Sequence, residues 1–99
     1  MIENEILKVC QELRAKFNPQ KIIVYSKKND PAGNISSFKI CAVIDASNSL
    51  QCESEIYGTI DSDLPFDVLV YTLEQWEKYS AQEDSFASKI ARTGVVVDG

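Results

Sequence analysis

Gln20-Lys21-Ile22-Ile23-Val24-Tyr25-Ser26 is followed by Lys27-Lys28-Asn29-Asp30-Pro31-Ala32-Gly33-Asn34 and then, past Ile35 and Ser36, by Ser37-Phe38-Lys39-Ile40-Cys41-Ala42-Val43-Ile44-Asp45. The outer runs are rich in β-branched and aromatic residues, so residues 20–26 and 37–45 are expected as strands. The run between them is dense in turn formers and holds no helical pattern. A parallel pair needs a crossover of roughly a dozen residues or more, so the two strands are expected to be antiparallel neighbours. The rest of the chain then covers or extends this pair.

Upstream, Ile2, Ile6, Cys10, Leu13 and Phe17 recur at helical spacing with Val9 beside them, and Asn18-Pro19 stops the pattern. Residues 3–17 are therefore expected as an amphipathic helix covering a sheet. Downstream, Leu50, Ile56, Tyr57 and Ile60 mark a weaker helical stripe over 48–60, with Ser47 or Asn48 as N-cap. Residues 66–71, Phe-Asp-Val-Leu-Val-Tyr, read as a third strand. Thr72 with Gln75 forms a capping box that opens a helix through Trp76 and Tyr79. Asp84 is expected to cap a last helix whose buried face is Phe86, Ala87, Ile90 and Ala91; Gly94 ends it before a short strand at 95–97. The expected order is αββαβααβ, a single α/β (α+β) domain over 1–99 built on a small mixed sheet.

The 99 residues are 44% hydrophobic and 25% charged, which suits one globular domain and excludes a two-domain enzyme. The longest apolar runs fall far short of the roughly 18 to 20 residues that cross a bilayer, so no membrane association is expected. Glu3 and Glu5 stand where a signal peptide would carry a basic start. Cys10, Cys41 and Cys52 lack the spacing of a disulfide frame or zinc site, and there is no histidine, so they read as buried thiols of a cytoplasmic protein. The absence of histidine also excludes Ser-His-Asp and Cys-His catalysis. Residues 1–30 carry six Lys or Arg against four acids, and residues 31–99 four against eleven, for a net charge of -5. A polarised surface is expected, and the acidic remainder would oppose nucleic acid, which is not the expected partner.

The order and the local sequences resemble the minimal nucleotidyltransferase (MNT) domain of the polymerase-beta-type superfamily, over about residues 5–98. In that family a strand ends in Gly-Ser, ten residues follow, Asp-x-Asp opens the next strand, and a third Asp opens a later one. Here Tyr25-Ser26 stands at Gly-Ser, Lys27 to Ser36 follow, and Ser37-Phe38-Lys39 falls at Asp-x-Asp. Leu64-Pro65-Phe66-Asp67-Val68-Leu69-Val70-Tyr71 resembles the strand bearing the third carboxylate, which puts Asp67 at that position, and the tail from Phe86 to Val97 is similar to small bacterial members.

The resemblance implies a nucleotidyltransferase fold, with transfer run in active members by Mg²⁺ held on three carboxylates. Strand alternation puts positions 37 and 39 on one face, where this chain has Ser37 and Lys39. A serine is a poor Mg²⁺ ligand, and an ammonium in the metal's place repels the ion by several kcal/mol at an effective dielectric of about 20 and about 4 Å. The family glycine, which lets the backbone approach phosphates, is replaced by Tyr25. No catalytic residue, metal or cofactor is therefore expected. Asp45 is about 20 Å along the strand from Lys39 and cannot stand in. Asp61 and Asp63 read as a solvated turn before Pro65. Asp67 is expected either to have no role or to pair with Lys39 in place of the metal cluster. Trp76, Tyr79 and Phe86 read as core rather than a base-stacking platform.

These readings imply a catalytically degenerate nucleotidyltransferase-like domain that acts by binding a protein partner. The resemblance points to the MNT half of two-component pairs, whose partner is a helical HEPN-type protein. The alternative is a residual nucleotide-binding or transferring enzyme in which Ser26, Lys27, Lys28 and Lys39 form a metal-free phosphate cradle. An open edge on so small a sheet would also favour a homodimer.

Overall fold

A computed structural model describes residues 4–98. The elements are α1 (Asn4–Phe17), β1 (Lys21–Asn29), β2 (Ile35–Ile44), α2 (Ser49–Thr59), β3 (Phe66–Thr72), α3 (Leu73–Ser80), α4 (Phe86–Thr93) and β4 (Val95–Asp98). This is the α/β order read from the sequence; Glu3, the expected first helical residue, lies outside the described residues. The four strands form one mixed sheet in the order β3-β2-β1-β4. β1 is antiparallel to β2 and β4, and β2 is parallel to β3, with α2 as the crossover.

Alternation along the strands sorts the core into two layers. Ile22, Val24, Ile40, Ala42, Val68 and Val70 meet Ile6, Val9 and Leu13 of α1 and Ile56 of α2 on one face. Ile23 and Cys41 face the other way, where Ile90 of α4 and the half-buried Trp76 of α3 cover them. Cys10, Cys41 and Cys52 are all buried thiols, as their irregular spacing suggested. Asn18 ends α1 at φ 49, a left-handed conformation that Asn tolerates, and its N–H donates to the Arg14 carbonyl.

The hairpin arms are longer than the sequence pattern indicates. β1 runs on through Lys27, Lys28 and Asn29, and β2 begins at Ile35, so the expected eight-residue loop shrinks to a turn over 30–34. Asp30 closes it: its Oδ1 accepts from Ala32 N at 3.0 Å and Asn34 N at 2.9 Å, while Gly33 takes φ 88. Polar residues in the arms pair through the backbone ladder, to which their side chains are indifferent.

Three further details differ from the sequence reading. The N-cap of α4 is Ser85, not Asp84: Ser85 Oγ accepts from Ser88 N at 3.0 Å and donates to the Tyr79 carbonyl, joining α4 to the end of α3. The buried face of α4 is Ala87, Ser88 and Ile90, whereas Phe86 is 51% exposed and Ala91 is exposed. In α2 the buried row is Cys52 and Ile56, continued by Ile60 beyond the helix, and Leu50 and Tyr57 of the expected stripe lie outside. Each of these short helices buries only two or three residues, so an apolar residue one step round the helix reaches solvent.

The capping box at Thr72 forms as expected, Gln75 N to Thr72 Oγ1 at 3.1 Å and Thr72 N to Gln75 Oε1 at 3.0 Å. The second bond is also part of a seal along β3, an edge strand. Val68 N–H donates to Tyr57 Oη at 2.8 Å and Val70 N–H to Glu53 Oε2 at 2.9 Å. Three alternate outward donors of β3 are thus occupied by side chains, which blunts that edge for pairing with another chain. No helix among the described residues is long and apolar enough to cross a membrane.

Candidate functional site

The base of the β1–β2 hairpin is irregular at the position that decides the site. Val24 pairs with Ile40 and Ser26 with Lys39, so Tyr25 and Ser26 together oppose one residue of β2, a β-bulge. Without the bulge, alternation would send Ser26 to the α1–α2 side. With it, Ser26 joins Lys28, Ser37 and Lys39 on the α3–α4 side, because directly opposed residues share a face. β3 adds Asp67, which stands opposite Lys39 in the parallel register.

Helices α3 and α4 cover the other half of this face and leave these residues around an open cleft of 310 Å³, which Phe38, Pro65 and Phe66 also line. Lys39 Nζ lies 3.9 Å from Asp67 Oδ2, with the two side chains 46% and 65% exposed. The expected pair is therefore present but open to water, which weakens it. Lys27 does not line this cleft. It is opposed to Phe38, and so leaves the strand on the side of α1 and α2.

A second concavity of 260 Å³ adjoins the first and shares Ser26 and Lys39 with it; Tyr25, Phe86, Lys89 and Thr93 complete its wall. Tyr25 does not line the first cleft. It turns toward α4, with its ring edge-on to Phe86 at 5.6 Å between centroids and 90° between planes. Burial, with smaller contributions from Cys41 and Asp67, pushes the Tyr25 phenol up to about 12, so it stays protonated. Of the three aromatics read as core, Trp76 is half-buried against Tyr71, whereas Tyr79 and Phe86 reach the surface. Phe86, Lys89 and Thr93 recur at 3, 4 and 7 residue offsets, a helical stripe present in the sequence that marks the α4 wall.

The residues at the cleft do not fit Mg²⁺. Its donor set would be the hydroxyl of Ser37, the ammonium of Lys39 and the single carboxylate of Asp67, and a hard dication needs several anionic oxygens. Among the described residues, no three His, Cys, Asp or Glu come together in a way that could hold a metal ion. Asp45, Asp61 and Asp63 are exposed and none lines the cleft.

The carboxylate of Glu5 has a structural role that its local sequence does not signal. Glu5 Oε2 accepts from Asp63 N at 2.7 Å and Ser62 Oγ at 2.9 Å, 58 and 57 residues away, and lies 3.9 Å from Lys8 Nζ. The Asp63 amide first, then the Ser62 hydroxyl, hold its carboxyl below the ordinary 4.5. Glu5 thus latches α1 to the turn that leads into β3.

No family model, curated protein or solved structure matches this chain.

Proposed function

We propose that this chain is a nucleotidyltransferase-like domain that has lost nucleotidyl transfer and acts by binding a protein partner. The observation that most supports the loss of transfer is the pairing of Lys39 with Asp67 across β2 and β3, 3.9 Å apart. By the resemblance, an ammonium stands where the family has a metal-binding carboxylate, so the charge that would activate a triphosphate is replaced by one that repels the ion. The partner class implied by the resemblance is a helical HEPN-type protein. For self-association the candidate edge is β4, where Val95 and Val96 are 53% and 51% exposed, since β3 is sealed.

The test is incorporation of labelled nucleoside monophosphate into protein or small acceptors with Mg²⁺ or Mn²⁺. None is expected, and incorporation abolished by Asp67→Ala would overturn the loss of transfer.

A second reading has one observation in its favour: Ser26, Lys28 and Lys39 of the proposed cradle line one cleft together with Ser37. These groups suit a phosphate held without metal. Calorimetry of ATP in the absence of metal would then show weak binding that falls as salt rises over a Debye length of about 8 to 10 Å. Binding that requires added Mg²⁺ contradicts the cradle.

A further inference from the structure

We infer that the partner engages this protein through an acidic segment carrying a large apolar side chain, laid in the groove between the hairpin base and α4. Its carboxylates face Lys28, Lys39 and Lys89, and its apolar side chain covers Phe86. This rests on the protein-partner reading above and adds to it the surface and the chemistry of the segment.

The two concavities adjoin, with Ser26 and Lys39 lining both, and together they form the groove meant here. The groove is locally basic in an acidic protein: three lysines and one carboxylate line it, against a net charge of -5 for the chain. At physiological ionic strength charges beyond about 8 Å are largely screened, so a group inside the groove is governed by these lysines and not by the remote acids. The existing pair leaves room for a competitor. Lys39 and Asp67 meet at 3.9 Å with both side chains about half exposed or more, so a carboxylate that reaches Lys39 at closer range takes it over at little loss. Beside these cations Phe86 exposes 51% of its surface while its ring packs edge-on to Tyr25. A half-covered aromatic that shares its concavity with two lysines is the kind of residue that anchors an interface.

The same features argue against other occupants. Small-molecule sites enclose roughly 70 to 90% of their ligand, and walls made of half-exposed side chains do not. The occupant must therefore bring its own surface. A nucleic acid carries a phosphate at every residue and would have to leave the groove across the acidic remainder, whereas a peptide needs acids only where the lysines are.

The test is selection of a random dodecapeptide library on the whole protein, followed by amide-shift mapping of the enriched peptides. The expected result is enrichment of Asp and Glu next to Phe, Leu or Trp, with shifts centred on Lys28, Lys39, Phe86 and Lys89. Binding should fall about tenfold or more in Lys39→Glu and in Phe86→Ser, and hold within about twofold in Lys16→Glu and Lys78→Glu, which lie on α1 and α3. Folding of each variant is checked by its amide spectrum. Peptides that bind but shift other surfaces, or that ignore the groove variants, overturn the inference while leaving the protein-partner reading in place. No enriched peptide together with groove shifts on adding ATP without metal overturns both in favour of the phosphate cradle. No enrichment and no response to ATP overturns the inference outright.

Discussion

Lys39 of β2 and Asp67 of β3 stand directly opposite each other in a parallel register, Nζ 3.9 Å from Oδ2, at the rim of an open cleft. Both groups are at least 46% exposed, so water screens the attraction and solvates either charge left alone. Lys39→Met and Asp67→Asn should therefore each cost less than about 1 kcal/mol, with a coupling energy of roughly 0.2 to 1 kcal/mol that shrinks as salt rises. Urea midpoints of the two single variants and the double variant measure it. A coupling well above that range would place the pair in a dry environment.

The Glu5 latch makes stability depend on acid. Because the Asp63 amide and Ser62 hydroxyl hold the folded carboxyl below its ordinary 4.5, the folded state binds its proton less readily than the unfolded chain. The stabilisation is fully present above pH 4.5 and is lost as pH falls from there through the lowered folded value. Glu5→Gln should cost about 1 kcal/mol at pH 7 and very little at the acid end. Denaturation midpoints of both proteins across pH 2 to 7 should converge on the acid side; parallel curves would remove Glu5 from the acid response.

Sealing of β3 predicts a solubility phenotype. Tyr57→Phe removes the acceptor of Val68 N–H and Glu53→Ala that of Val70 N–H. Each should cost about 1 kcal/mol and speed amide exchange at its own donor. The double variant, with two outward donors exposed, should associate at concentrations where the parent does not. Exchange rates and light scattering read the two effects separately, and unchanged scattering in the double variant would show that the seal serves stability alone.

Gly94 ends α4 with φ in the ordinary range, and its requirement is spatial. A Cβ there would lie 2.3 Å from Ile23 Cγ2 and 2.8 Å from the Ile90 carbonyl oxygen. Gly94→Ala must push α4 off β1 and should destabilise by about 1 to 3 kcal/mol. Gly58, where a Cβ would meet nothing within 4 Å, is the control: Gly58→Ala should raise the midpoint, since alanine restricts the unfolded chain. Equal losses at the two positions would contradict the packing explanation.

Much of the fold was legible because it rests on local chemistry. Turn formers between two β-branched runs require an antiparallel pair, the Thr72–Gln75 box opens α3, and Asn18-Pro19 closes α1; each acts within a few residues. Apolarity alone does not pick the buried side of a helix, as Leu50 and Phe86 show, and residue type alone does not pick Ser85 over Asp84 as a cap. A cap depends on which oxygen reaches an amide three residues on, and Ser85 is also bonded to Tyr79 across the turn.

For the site, the sequence by itself determined the chemical inventory: serine and lysine at positions 37 and 39, a carboxylate at 67, and no histidine. It also determined that 37 and 39 share a face, since strand alternation is a property of the backbone. Tertiary structure alone decided which other residues join them. One extra residue at Tyr25 shifts the register, carries Ser26 and Lys28 to the cleft side and sends Lys27 away. Likewise the docking of α4 on β1 brings Lys89 and Phe86 to the groove across more than forty residues of chain. A bulge and a helix docking are settled by how side chains pack between layers, and that competition among distant residues leaves no periodicity for a sequence to display.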